Sequence, residues 1–308
     1  MKRSLGLDLL RILMATMVVA LHTHWLSQVS PLWDQLTVNG LFRMAVPVFF
    51  LINGYYAFEA IDGGRTKAWL KRVLQIYLFW AVVYLPAYFP LSSPGGFGIH
   101  DFIVNLAFGY WHLWYMVALA LAGLVLWRLR SRSSTELLCV AVGLFTIGLA
   151  LEVARFRGVN HVSVKLYRNF LFDALPFLVM GYVMRRDAIA GTHPVLWTLA
   201  ILGVAGLLLE SLIERRFAPP STEADLFISL LLLCPAIFLL VRKLPFVTAN
   251  DRWAKASSAI YFSHVAFLLL GERLGIAQGM PLFAFVLMLS ALASWPLIAL
   301  SRRLRIVL

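Results

Sequence analysis

The chain has 308 residues, of which 61% are hydrophobic and only 14% charged, and its mean hydropathy is +0.82. Globular domains carry roughly 45–50% apolar and about 25% charged residues, so too little polar surface exists here for a water-soluble domain, and disorder, coiled coil and collagen are excluded with it. The net charge of +12 would suggest nucleic acid on a soluble protein; here most basic residues fall in short loops between apolar runs, where they set membrane topology, and no nucleic-acid partner is expected.

Ten apolar runs follow one another, at 5–26, 38–59, 69–91, 105–127, 135–154, 167–184, 194–213, 224–242, 257–272 and 280–301. They are continuous rather than alternating, which favours helices over a transmembrane barrel. The longest connections, near 92–104 and 155–166, hold little more than a dozen residues, and no fixed-period repeat is present. The expected fold is an all-α polytopic bundle of about ten spans, one membrane domain over 1–308 with no fused soluble domain. Lys2 and Arg3 ahead of the first run resemble a signal peptide, but Asp8 and Arg11 interrupt its early half and no small-x-small cleavage site follows Leu21. Cys139 and Cys234 lie in apolar runs without CxxC spacing; they read as small buried hydrophobes, and no metal is expected.

Orientation follows from the basic residues. With the N-terminus inside, the inner segments hold eighteen Lys and Arg and the outer ones seven. That bias predicts both termini in the cytoplasm. Loops 60–68 and 128–134 are then cytoplasmic, and loops 27–37 and 92–104 extracytoplasmic.

Polar residues inside the runs need a reason, because an ionisable group at mid-membrane costs roughly 2.5–3.5 kcal/mol on insertion scales. In the first run Asp8, Arg11 and His22 share a helix face, with His22 roughly 16 Å beyond Arg11 at about 1.5 Å per residue. The ordinary explanation is a structural ion pair and an interfacial histidine; His24, on the other side, fits that explanation. Arg43 precedes a second run in which Pro47 and Gly54 loosen the helix around Asn53. Such breaks line cavities or permit close packing. His112, Trp114 and Tyr115 open the fourth run; an aromatic belt accounts for the last two but not for His112. Arg168, Asn169 and Asp173 stand in the sixth run, the latter two on one helical face with Pro176. Ser257, Tyr261 and His264 repeat that spacing in the ninth. Interhelical hydrogen bonds would explain each stripe singly. Five spans directing polar groups inward point to a polar intramembrane site.

Together these residues resemble membrane acyltransferase family 3. Asp8-Leu-Leu-Arg11 followed by the Arg-x10-His spacing of Arg11 and His22 is similar to that family's first-helix signature, and Pro47-Val-Phe-Phe-Leu-Ile-Asn-Gly54 to its second-helix run. His112-Leu-Trp-Tyr115, Arg168-Asn169-Phe-Leu-Phe and Tyr261-Phe-Ser-His264 fall where similar runs occur. The likeness covers essentially the whole chain. One departure is Asn53, where the family usually has Ser; it keeps a hydrogen-bonding group and loses the hydroxyl.

The resemblance implies a multi-pass protein of the bacterial cytoplasmic membrane that moves an acyl group, usually acetyl, from acyl-CoA to a hydroxyl of a sugar, polysaccharide or lipid-linked glycan. Acyl-CoA would be a donor substrate, with no resident cofactor, and membrane lipid the remaining partner. Basic cytoplasmic residues such as Arg65, Lys67, Lys71 and Arg72 would attract its phosphates. His22, an imidazole with an ordinary pKa of about 6.5, suits proton removal from the attacking hydroxyl, and an acyl-histidine route is the alternative chemistry at the same residue. Arg11, held by Asp8, would serve the donor; Asn53, Trp114 and Arg43 are candidate oxyanion donors. His112, Tyr115, Arg168, Asn169, Asp173, Tyr261 and His264 complete the candidate substrate site. A transporter or flippase for an anionic or glycosylated substrate is the competing expectation, because broken helices and midplane charges serve that too.

Overall fold

The computed structural model describes residues 3–88, 99–159, 162–217 and 224–308. The connection expected near 92–104 therefore lies partly outside the described residues, as do 89–91 of the third run and 160–161 of the 155–166 connection. In chain order the helices are α1 (Leu5–Thr23), α2 (Pro31–Val38), α3 (Ala45–Ile61), α4 (Thr66–Val83), the single turn α5 (Leu85–Tyr88), α6 (Ile99–Phe108), α7 (Trp114–Leu129), α8 (Ser134–Phe156), the single turn α9 (Val164–Tyr167), α10 (Leu175–Arg186), α11 (His193–Phe217), α12 (Leu230–Arg242), α13 (Arg252–Arg273) and α14 (Met280–Arg303). Two strands of two residues, β1 (Arg3–Ser4) and β2 (Val247–Thr248), pair antiparallel.

Each of the ten apolar runs contains a helix, but seven helical stretches among the described residues are long and apolar enough to cross a membrane. Three runs fall short for separate reasons. The first half of α4 carries Lys67, Lys71 and Arg72; α10 has 12 residues and α12 has 13. Two run boundaries also differ from expectation. The fourth run is divided because Gly109 (φ 84) and Trp111 (φ 45) turn the chain between α6 and α7. The eighth is helical only from Leu230, since residues 224–227 are irregular. Carboxylates satisfy the freed amides there: Glu152 accepts from the N–H groups of Asp225 and Leu226, and Glu214 from that of Ala224. Irregular backbone at membrane depth requires such partners.

Helix ends follow capping chemistry. Ser4 accepts from the Leu7 N–H at the start of α1, and His24 ends that helix in the left-handed region. Ser133 and Glu136 form a reciprocal capping box at α8. The stretch containing α3 is the most enclosed, with 67% of its spanning window buried against 22% for α14. Its closest partner is α10. A Cβ at Gly54 would lie 2.0 Å from the Leu178 carbonyl oxygen, and one at Gly181 would lie 1.9 Å from that of Leu51. Gly54 thus serves close helix packing rather than a cavity. On the perimeter, Leu292 (65% exposed) and Trp295 (84%) of α14 face outward, as lipid-facing side chains do. Cys234 is buried, whereas Cys139 lies exposed on α8, so the buried reading holds for one cysteine and not the other.

Polar contacts gather at two ends of the bundle. At one, β1 pairs β2, Arg185 pairs with Glu59, Arg186 reaches the carbonyls of Arg130 and Arg132, and Arg72 donates to the Leu308 carbonyl. At the other, His24 meets Asp34, Gln35 meets Ser211 and Glu214, and the Gly279 N–H donates to the Thr23 carbonyl.

Candidate functional site

Three imidazoles from distant parts of the chain meet inside the bundle. His22, near the end of α1, stacks on His264 of α13 with ring centroids 5.4 Å apart. His112, from the turn before α7, meets His264 edge-on at 5.0 Å. Because α1 and α13 pack together along their length, with the Ser257 hydroxyl donating to the Arg11 carbonyl at 2.8 Å, His22 and His264 are carried to the same level. His264 Nδ1 lies 2.5 Å from the Tyr261 carbonyl oxygen. A carbonyl can only accept, so Nδ1 carries the proton and Nε2 presents a lone pair. That Nε2 is buried without a hydrogen-bond partner among the described residues, and so are both ring nitrogens of His112. Buried polar atoms are nearly always paired, which sets these imidazole nitrogens apart from most other polar groups of the bundle. His22 is half-buried and the other two fully buried, which makes His22 the accessible member. Among the described residues no cluster is arranged to hold a metal ion.

Tyrosines hold this cluster in place. Tyr84 donates to the Phe262 carbonyl and sets its ring edge-on to His112 at 5.1 Å. Tyr261 donates to the His112 carbonyl at 2.8 Å. Its ring also packs against Tyr115 at 5.5 Å.

On the far side of Tyr115 and Tyr261 lies a cavity of about 240 Å³ lined by Arg11, Asn53, Ser257 and these two rings. Arg11 Nη1 is 3.7 Å from Oδ1 of fully buried Asp8, and its guanidinium lies over the Tyr56 ring at 5.2 Å. The Asn53 amide donates to the Tyr115 hydroxyl at 2.7 Å. The cavity adjoins a mainly basic recess of about 430 Å³ at the β1–β2 end, lined by Arg72, Arg302, Arg305 and Lys255, the last paired with Asp251 of the same lining at 3.1 Å, with Arg72 and Leu308 common to both. Of the four basic residues expected to serve the donor, Arg72 alone lines this recess; Arg65, Lys67 and Lys71 are exposed on the surface. Lys255, Arg302 and Arg305 were not distinguishable in the sequence from other loop cations.

The remaining candidates form a second, separate constellation. Arg43 is buried and donates to Asp225 at 2.8 Å, to the Asn39 side chain at 2.6 Å and to the Val38 carbonyl at 3.0 Å. Arg168 pairs with the same Asp225 at 3.4 Å. Asp225 and Glu152, which organise this group, carry no sequence motif. Asn169 is not on a helical stripe with Asp173: it has extended backbone, and its Oδ1 caps the π-turn Phe170–Ala174 by accepting from Leu171 and Phe172. Its amide donates back to Lys165 and Leu166, so its side chain is committed to local structure. Asp173 is buried with Oδ1 unpaired. Trp114 touches Phe50 and sits under the Arg168 guanidinium. The expected single site is thus two groups, the first joining Arg11, Asn53, Tyr115, Tyr261, His22, His112 and His264, the second Arg43 and Arg168.

Comparison with known proteins adds the following. The chain is 30% identical over 270 residues to an amino-acid racemase of Enterococcus faecalis, covering 78% of this chain and 37% of that protein. It is 28% identical over 243 residues to a serine/alanine racemase of Enterococcus gallinarum, covering 71% and 34%. The chain spans about a third of the length of these curated relatives. No solved structure matches it. Residues 4–300 match the family described as an acyltransferase domain, and the chain, whose Arg-x10-His helix and imidazole cluster lie within that match, belongs to acyltransferase family 3.

Proposed function

We propose that the protein transfers an acyl group, acetyl in the simplest case, from acyl-CoA to a hydroxyl of a sugar or lipid-linked glycan, as a ten-span protein of the bacterial cytoplasmic membrane with both termini inside. The observation that carries this reading is the alignment of three features: a mainly basic recess, a polar cavity behind it, and the cluster of His22, His112 and His264 beyond the cavity wall. Arg72, Lys255, Arg302 and Arg305 suit the phosphates of CoA, and Arg11 would meet the donor in the cavity. The grouping of polar contacts at the two ends of the bundle agrees with the charge-derived topology.

In this mechanism His22 takes the proton of the acceptor hydroxyl as its oxygen attacks the thioester carbonyl. The C–S bond then breaks, and the CoA thiolate takes the proton back from the imidazolium. General-base help of this kind contributes roughly 10²–10⁴ in rate. The stacked His264 would hold the plane of His22, while Asn53 and Tyr115, hydrogen-bonded to each other on the cavity side, would meet the donor there. The racemase names belong to proteins more than twice as long as this chain, and that activity is not carried over. Purified protein incubated with labelled acetyl-CoA and glycan acceptors tests the reading: the label should move to the acceptor and be lost with His22→Ala.

One observation favours a transporter as the second reading. A cavity from one end and a half-buried histidine beyond a closed aromatic wall also describe an interrupted transport path. Uptake of labelled glycan by proteoliposomes without acyl-CoA would select it.

A further inference from the structure

At the end opposite the basic recess, α6, the start of α7 and α9 enclose a groove of about 620 Å³ that the mechanism above does not use. Its lip is built in an unusual way. Trp111 is held in the left-handed region, φ 45, which a bulky side chain rarely adopts. Gly109 forces this turn: at φ 84 it approaches Trp114 so closely that a Cβ would lie 2.5 Å from the backbone there. The result is a stacked pair with nearly parallel planes, Tyr110 on Trp111, with ring centroids 5.8 Å apart and planes 9° apart, and Trp111 left 46% exposed. An interfacial aromatic belt asks for no such backbone; strain of this kind is retained where a surface is presented.

Two cations stand over the same groove. Lys165 Nζ lies 5.6 Å above the Phe108 ring, and the Arg168 guanidinium 5.8 Å from that of Trp114. Arg168 shares its charge with Asp225; Lys165 has no carboxylate within ion-pair distance among the described residues. No carboxylate lines the groove among them either. From the cations the groove runs down α7 over Val117 and Leu121, the latter 41% exposed on the apolar face. It therefore offers, in order, a flat aromatic platform, a positive centre and an apolar track.

We infer that this groove binds an anionic lipid whose head group is a phosphate ester of a sugar or other polyol. The phosphate sits against Lys165 and Arg168, as basic pockets between membrane helices take phosphorylated head groups. The polyol lies on the Tyr110–Trp111 face, whose rings accept its C–H groups, and the tail follows Val117 and Leu121. Resting on the function proposed above, such a lipid is the form in which the acceptor hydroxyl is presented, because the turn from Tyr110 to Trp114 that lines the groove also carries His112 into the imidazole cluster.

Phosphatidylglycerol, which joins a phosphate to a polyol, is the probe, with phosphatidylcholine as the uncharged-overall control. Native mass spectrometry of the purified full chain in neutral detergent should show phosphatidylglycerol retained in preference. Lys165→Gln should weaken that retention about fivefold, the loss of one lysine's attraction to an anionic head group. Trp111→Gly removes the platform while suiting the positive φ, so a lowered retention there is not a folding effect. Equal retention of both lipids, or unchanged retention in both variants, overturns the inference. The two readings fail separately: selective, variant-sensitive lipid binding without any acyl transfer sinks the transferase alone. Transfer to a soluble sugar that proceeds undiminished in both variants, with lipid retention unselective, sinks the groove alone.

Discussion

Replacing Arg43 with alanine separates a structural arginine from a catalytic one. The resemblance made Arg43 a candidate oxyanion donor, yet its side chain is 4% exposed and donates to Asp225, Asn39 and the Val38 carbonyl. Breaking a buried ion pair by removing one partner costs roughly 3–5 kcal/mol, because the other charge stays buried. Asp225 keeps Arg168 at 3.4 Å, which places the loss near the lower bound, about 3 kcal/mol. At roughly 2–4 °C per kcal/mol for a chain of this order, thermal unfolding in detergent, followed by intrinsic fluorescence, should shift down by about 6–12 °C. Arg43→Lys should recover part of this, since an ammonium replaces the charge without the planar fork that reaches three acceptors. Acyl transfer per folded molecule should survive in both variants. Arg43→Ala that melts like the parent but has lost transfer would refute the assignment and return Arg43 to the reaction centre.

Three other outcomes are expected. His22→Gln should fold and bind acetyl-CoA but lose roughly 10²–10⁴ in turnover, because glutamine cannot take a proton; in the parent enzyme the rate should rise with pH as the imidazole becomes neutral, and near-normal turnover in the variant would exclude proton removal there. Arg302→Gln combined with Arg305→Gln should raise the KM for acetyl-CoA while leaving kcat in place, with a smaller effect at high salt where phosphate attraction is screened; a fall in kcat at unchanged KM contradicts the placement of CoA. Tyr261→Phe removes a hydrogen bond worth about 1 kcal/mol from the wall between cavity and imidazoles, so amide exchange in residues 110–114 should quicken roughly fivefold, and unchanged exchange means that the bond does not hold the wall.

Sequence patterning reached the class of fold and the placement of the first-helix polar residues because both depend on local spacing. Asp8, Arg11 and His22 lie on one helix, and helical periodicity alone puts them on one face. His264 and His112 could be nominated as misplaced polar residues, but their meeting with His22 depends on how α1 crosses α13 and on the turn at Gly109. Asn169 misled for the opposite reason. Its spacing to Asp173 and Pro176 suits a helix, whereas its side chain competes with the helix by capping the π-turn, a known tendency of Asn. Asp225 could not be found at all: it stands in an irregular segment whose position is fixed by Glu152 and Glu214 from two other helices. Three of the ten runs hold helices that are shorter or more charged than a long apolar span, α10 and α12 because a run of hydrophobic residues does not reveal where the backbone leaves helical geometry and α4 because of Lys67, Lys71 and Arg72.

The two residues that define the first-helix spacing end on opposite sides of one wall. Arg11 lines the cavity near the basic recess, while His22 lies among the imidazoles beyond the rings of Tyr115 and Tyr261. Eleven residues of helix span roughly 16 Å, which is what separates these two contacts along α1. On the proposed function the spacing would do something that neither residue does alone: it would fix how far the donor's charged contact sits from the base. A CoA thioester lies at the end of a long flexible arm, so a binding site for its phosphates can be remote from the chemistry, but on the proposed function the arm would have to pass the Tyr115 and Tyr261 rings, which pack against one another at 5.5 Å. On the same reading, contact between these rings would keep the thioester on the cavity side away from the half-buried His22 until an acceptor is present, which would limit its hydrolysis. On this argument the wall is where a transferase differs from a thioesterase, and its opening should depend on the acceptor rather than on the donor.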